Sequence, residues 1–125
     1  MWSAFLIFVG GGLGAVGRHG VNMWTLRQFG PGFPVGTMVV NIVGSLAMGL
    51  FIGWLVKRGG GHDMRLLVAT GFLGGFTTFS AFSLDVANLW ERGGMGPMAL
   101  YMGGTMVLSL LAVFVGLAFA RTLFS

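Results

Sequence analysis

The stretch Gly71-Phe72-Leu73-Gly74-Gly75-Phe76-Thr77-Thr78-Phe79-Ser80-Ala81-Phe82-Ser83 decides how this chain is read. It lies inside a long apolar run, yet it sets Gly71, Gly74 and Gly75 before a Thr-Thr pair. Each glycine weakens a helix by about 1 kcal/mol relative to alanine, and β-branched threonine restores little. A break in the middle of a helix is therefore expected here. Non-helical backbone at membrane depth survives only where protein or a cavity covers it, and unwound carbonyls in transporters commonly hold ions. Just past the break, Phe79 and Phe82 stand three apart on one face, interleaved with the hydroxyls of Ser80 and Ser83. Aromatic rings have positive edges, so ring edges turned toward a narrow path attract an anion without fixed charge. Two packing phenylalanines facing lipid are the plainer alternative.

Working outward, the chain around this stretch has the composition of a membrane protein. Of 125 residues 55% are hydrophobic and 8% charged, against about 25% charged in an ordinary soluble domain. A soluble enzyme is excluded. One helical crossing takes roughly 20 apolar residues, and polar punctuation divides the chain into four spans at about 2–26, 35–56, 64–89 and 97–120. The expected fold is an all-α integral membrane protein, a single four-helix transmembrane domain over 1–125, with its third helix broken mid-membrane. Met1-Trp2-Ser3 lacks the basic start of a signal peptide, so the first apolar run reads as a retained span.

The net charge of +4 comes from seven Lys and Arg against three Asp and Glu. The basic residues stand mostly at span ends, where such residues meet lipid headgroups. They form no patch that would neutralise nucleic-acid phosphates. Membrane lipid is the expected partner, and nucleic acid is not. With four spans, Lys57, Arg58, Arg65 and Arg121 share one side, and Arg27 and Arg92 the other. So small an asymmetry specifies orientation poorly, which permits insertion both ways. The small-residue pairs Gly10/Gly14, Ser45/Gly49/Gly53 and Gly71/Gly75 let helix backbones approach closely in lipid. They serve either packing within one subunit or, taken together, a compact homo-oligomer, and the second is the expectation.

Polar residues inside the spans narrow the chemistry further. Arg18, late in the first span, faces an interior or snorkels to the headgroups, while His19 beside it reads as interfacial. Thr37, Asn41 and Ser45 recur every four residues on one face of the second helix, either bonding helices together or lining a pathway. Asp85 is the only carboxylate within the spans. There is no cysteine, no His cluster with metal-site spacing, and no nucleophile with an evident base. Catalysis is not expected.

At these residues the chain resembles the CrcB/Fluc family of fluoride channels over nearly its whole length. The resemblance rests on Gly14-Ala15-Val16-Gly17-Arg18, on Gly36-Thr37-Met38-Val39-Val40-Asn41-Ile42-Val43-Gly44 and, most specifically, on Gly74-Gly75-Phe76-Thr77-Thr78-Phe79-Ser80-Ala81-Phe82. It implies a multi-pass protein of the bacterial inner membrane that passively exports fluoride and protects the cytoplasm. The implied assembly is an antiparallel, dual-topology homodimer with two pores and a structural sodium ion at its centre. Phe79 and Phe82 correspond to the family's pore phenylalanines, and Asn41 to the pore asparagine that orients them. Tyr101 and Ser109, eight apart on the fourth span, match polar residues lining the path. The backbone carbonyls of Gly74 and Thr77 match the sodium site, and Arg18 the first-helix arginine of the vestibule.

Fluoride is small and strongly hydrated, so a selective path must replace its water with donors such as those of Asn41, Ser80 and Tyr101. Two positions depart from the family pattern: Ala81 stands where Thr is more usual, and Asp85 where Glu is common. Ala81 removes one hydroxyl from the expected track. Other readings are a small multidrug-type transporter and a non-conducting membrane assembly subunit. The former needs a first-span carboxylate, and none precedes Asp63.

Overall fold

A computed structural model describes residues 1–123 of the chain, all of the regular structure among them helical. Helix α1 runs Trp2–Phe29 and α2 runs Val35–Lys57. The third crossing consists of α3 (His62–Met64), a π-helical segment π1 (Arg65–Leu73), α4 (Gly74–Phe76) and, after an interruption, α5 (Ser80–Glu91). Helix α6 runs Met95–Leu123. By length and composition, four helical stretches can cross a membrane: Trp2–Phe29, Val35–Lys57, His62–Glu91 and Met95–Leu123.

These helices extend slightly past the apolar runs that announce them, because polarity does not end a helix. Arg27 and Gln28 continue α1, which stops at Gly30, whose φ of 76° continues no right-handed helix. Gly59 (φ 71°) and Gly93 (φ 74°) follow the ends of α2 and α5 in the same way. Such left-handed backbone suits residues without a Cβ. Pro97 lies in the first turn of α6, where its missing N–H removes no intrahelical bond.

The helices pack backbone against backbone. Helix α1 lies along π1 and α4, and α2 lies along α6. A Cβ at Gly14 would collide with the Phe72 carbonyl, and one at Gly75 with the Gly11 carbonyl. A Cβ at Gly49 would strike the Val113 carbonyl, and one at Gly53 the side chain of Ala120. In lipid, where no hydrophobic force drives helices together, close approach of this kind supplies the packing. Of the small-residue pairs, Gly10, Gly14, Gly49, Gly53, Gly71 and Gly75 meet neighbouring helices of the same chain, while Ser45 is half-buried and lines a cavity.

A second difference concerns the glycines of the third span. Gly71, Gly74 and Gly75 remain helical, and Gly71 and Gly75 admit α1 at Gly10 and Gly11 rather than break the chain. The surrounding helix is wound as π, with the Gly74 N–H reaching back five residues to the Ala69 carbonyl. Helical structure stops only at Thr77, whose backbone is extended (φ −84°, ψ 159°).

The buried core is small. Val40 and Tyr101 are the largest side chains wholly enclosed, and Phe82, Leu89 and Tyr101 form a cluster bordered by Phe33, Met38, Val86 and Met98. Large apolar side chains cover the outside, Phe8, Phe79 and Phe114 among them. A water-soluble monomer rarely shows such a surface, whereas lipid tails accept it.

Candidate ion site at the interrupted third span

The interruption at Thr77–Phe79 is held open by side chains. In an uninterrupted α-helix the Thr78 N–H would donate to the Gly74 carbonyl; it donates instead to Asn41 Oδ1 at 2.8 Å. Asn41 Nδ2 in turn donates to the Thr78 carbonyl at 2.9 Å. The primary amide thus pairs with both polar groups of one peptide residue, as a neighbouring strand would. The Ala81 N–H, which would close onto the Thr77 carbonyl, donates to Thr78 Oγ1 at 3.2 Å. That bond ties the Thr78 side chain to the first turn of α5 while Asn41 holds the Thr78 backbone. Upstream, Thr77 ends the first half-helix, its N–H and its hydroxyl both donating to the Leu73 carbonyl at 3.0 and 2.9 Å.

Two kinds of polar group are released as a result. The carbonyls of Gly74 and Thr77 have lost their usual intrahelical donors, and the first N–H groups of α5 have no intrahelical acceptor. The start of α5 also carries the positive end of its helix dipole. One gap in the chain therefore offers oxygens suited to a cation and donors suited to an anion.

Aromatic rings extend away from the gap in a row. Phe79 and Phe82 lie 5.7 Å apart, tilted by 42°, and Phe82 lies 5.3 Å from Tyr101. Phe33 meets the other side of Tyr101 edge-on at 5.5 Å. Burial separates the pair: Phe79 is 77% exposed and Phe82 only 6%. Tyr101 donates from its hydroxyl to Asp85 Oδ2 at 2.9 Å.

A cavity of about 420 Å³ opens beside the gap, lined by Asn41, Gly74, Thr77, Phe79, Phe82 and Ser109, with Ser45, Thr78 and Thr105 contributing further polar atoms. No charged side chain lines it. The Thr105 and Ser109 hydroxyls are buried there without a hydrogen-bond partner. Unsatisfied buried hydroxyls are uncommon and costly, and both of these belong to residues that line the cavity.

Among the residues expected from sequence, Asn41, Gly74, Thr77, Phe79, Phe82 and Ser109 converge on this cavity. The others lie apart from it. Ser80 is exposed, its hydroxyl 3.4 Å from that of Thr78. Thr37 lines a second cavity of about 380 Å³ with Ala81 and Asp85, toward the end of the bundle formed by Pro31 and Pro34. Tyr101 packs behind Phe82. Arg18 lines neither cavity; it is half-buried on α1, with Nε enclosed and unpartnered. Thr78 and Thr105 were not expected. Thr105 had a legible signal, since it stands four residues from both Tyr101 and Ser109 on the same helical face.

Four helices able to cross a membrane, with a neutral cavity at the helix gap lined by the second, third and fourth of them, mark a multi-pass membrane protein. The family model described as "CrcB-like protein, Camphor Resistance (CrcB)" matches residues 5–117, and the chain belongs to that family. It is 55% identical over 123 residues to a protein of Mesorhizobium japonicum named fluoride-specific ion channel FluC, covering 98% of this chain and 99% of that one. A relative in Nitrobacter hamburgensis, fluoride-specific ion channel FluC 2, is 56% identical over 119 residues, 94% of this chain and 96% of that one. The Paracoccus denitrificans protein named fluoride-specific ion channel FluC is 52% identical over 119 residues, 95% and 94% of the two chains. The family is one of ion channels, not enzymes.

Proposed function

We propose that this chain forms a fluoride-selective channel that passively exports fluoride across the bacterial inner membrane and so limits its toxicity. The observation that carries this reading is the neutral cavity beside the Asn41–Thr78 pairing, lined by Phe79 and Phe82 and by Thr105 and Ser109, whose buried hydroxyls have no partner. Fluoride entering such a path exchanges water for hydroxyl donors and positive ring edges. A fixed cation would hold the ion too tightly, since conduction needs binding weak enough to release. The names borne by the relatives support the same substrate.

The working unit in this proposal is an antiparallel homodimer with two pores. Phe79 on the outside of a single chain supports it, because a second copy would close the open side of the cavity. The small Lys and Arg asymmetry supports insertion in both orientations. Residues for a central sodium ion are also present. The Gly74 and Thr77 carbonyls are released by the gap, and neutral oxygens of this kind suit a hard monovalent cation. A bound sodium ion would supply charge compensation to carbonyls otherwise costly at membrane depth. The chain's own part is to keep those oxygens free, with Asn41 and Thr78 taking the N–H groups that would cover them.

The deciding experiment is efflux from liposomes containing the purified protein. Fluoride should leave rapidly and chloride hardly at all; no fluoride efflux from well-folded protein refutes the channel reading.

A further inference from the structure

We infer that the turn between α2 and π1 is a binding site for the phosphate headgroup of an anionic membrane lipid. Within nine residues it gathers Lys57, Arg58, His62 and Arg65. The one acid among them, Asp63, accepts a hydrogen bond from Trp2 Nε1 at 3.0 Å. No carboxylate among the described residues pairs with Lys57, Arg58 or Arg65.

The turn is shaped as well as charged. Gly59 at φ 71° reverses the chain, the Gly60 N–H donates to the Leu55 carbonyl at 2.7 Å, and the Arg65 N–H donates to the Gly61 carbonyl at 3.2 Å. A cavity of about 330 Å³ lies against this turn, lined by the basic His62 and Arg65 and by the apolar Leu55 and Val56. The Arg58 guanidinium sits over the Trp54 ring, 6.0 Å from its centre, which holds a cation against the end of α2 from which this turn leaves.

The surroundings favour a lipid over a soluble anion. Trp2 and Trp54 mark this end of the bundle, and tryptophan collects at headgroup depth. Exposed Val56 continues the apolar wall toward the membrane. A phosphodiester with its acyl chains along that wall satisfies the cations and the apolar surface together, as basic clusters at membrane interfaces do. The proposal is independent of conduction.

The test uses the full-length protein in neutral detergent and native mass spectrometry with phosphatidylglycerol and phosphatidylcholine of matched acyl chains. Phosphatidylglycerol should be retained about tenfold better, and Arg58→Gln with Arg65→Gln should reduce that retention about tenfold. Arg27→Gln with Arg92→Gln, at the opposite end, should leave it unchanged. Arg58→Lys with Arg65→Lys keeps the charge and should retain the lipid, which guards against a fold defect in the Gln variant. Equal retention of the two lipids, or equal loss in both Gln variants, overturns the site. Displacement of phosphatidylglycerol by millimolar inorganic phosphate overturns the lipid assignment in favour of a soluble phosphate ligand.

Discussion

Asn41 and Thr78, 37 residues apart, are joined by two hydrogen bonds of 2.8 and 2.9 Å that engage both polar groups of the Thr78 backbone. This pairing turns a weak helix into a defined gap. It diverts the N–H that would have covered the Gly74 carbonyl, and it fixes the residue whose hydroxyl accepts from Ala81 in the first turn of α5, the helix carrying Phe82.

Replacing Asn41 by Ala should leave the Thr78 N–H and carbonyl unpaired in a part-buried site, at about 1–3 kcal/mol for each group. Asp at the same position keeps the acceptor but sets an oxygen against the Thr78 carbonyl. Both variants should lower the thermal midpoint in detergent and cut fluoride efflux at least about tenfold. A variant with unaltered efflux would remove Asn41 from the conducting machinery.

The phenylalanines should separate by stability and not by conduction. Phe79→Ile and Phe82→Ile should each block fluoride efflux without changing the oligomeric size on gel filtration. Truncation to Ala should cost about 3–5 kcal/mol at Phe82, which packs against Tyr101, and much less at exposed Phe79. Unchanged efflux in both Ile variants returns the rings to a packing role.

Among the hydroxyls, the expected order of stability effects is set by partners. Tyr101→Phe leaves Asp85 without its hydrogen bond and should destabilise the fold by about 1.5–3 kcal/mol. Ser109→Ala and Thr105→Val remove groups that have no partner, so stability should hold or rise while efflux falls. Denaturation and efflux measured on the same preparations check both halves.

Glycine substitution tests whether close packing is internal to the subunit. Gly14→Ala and Gly49→Ala push a methyl into facing backbone and should destabilise the folded chain by about 1–3 kcal/mol or more. Gly12→Ala meets nothing within 4 Å and should be tolerated. Loss of assembly with the subunit's own helix packing intact in the first two would instead place those glycines between subunits.

Sodium dependence is the remaining test. Exchanging sodium for N-methyl-D-glucamine should lower the thermal midpoint and the efflux of the assembled protein, because the exchange would empty the proposed cation site at the freed carbonyls. Indifference to the exchange would count against a sodium site at Gly74 and Thr77.

How much could be read in advance depended on how local each feature is. The four crossings follow from apolar length, and their ends from Gly30, Gly59 and Gly93 just beyond the helices. Phe79, Phe82, Asn41 and Ser109 were legible from motif and spacing and meet at one cavity. Thr105 was overlooked although the four-residue step from Tyr101 marks it.

What sequence alone determined about this protein is therefore its class and its crossings, since both rest on runs of neighbouring residues and on the preference of apolar helices for lipid. Tertiary structure decided where the third helix opens. Gly71 and Gly75 stay helical with α1 packed against them, and the chain parts at Thr77, where Asn41, from another helix, takes the Thr78 N–H. It likewise sent Tyr101 to Asp85 and left Thr105 and Ser109 unpaired. A backbone hydrogen bond goes to whichever acceptor the fold brings within reach, and no local pattern records that competition.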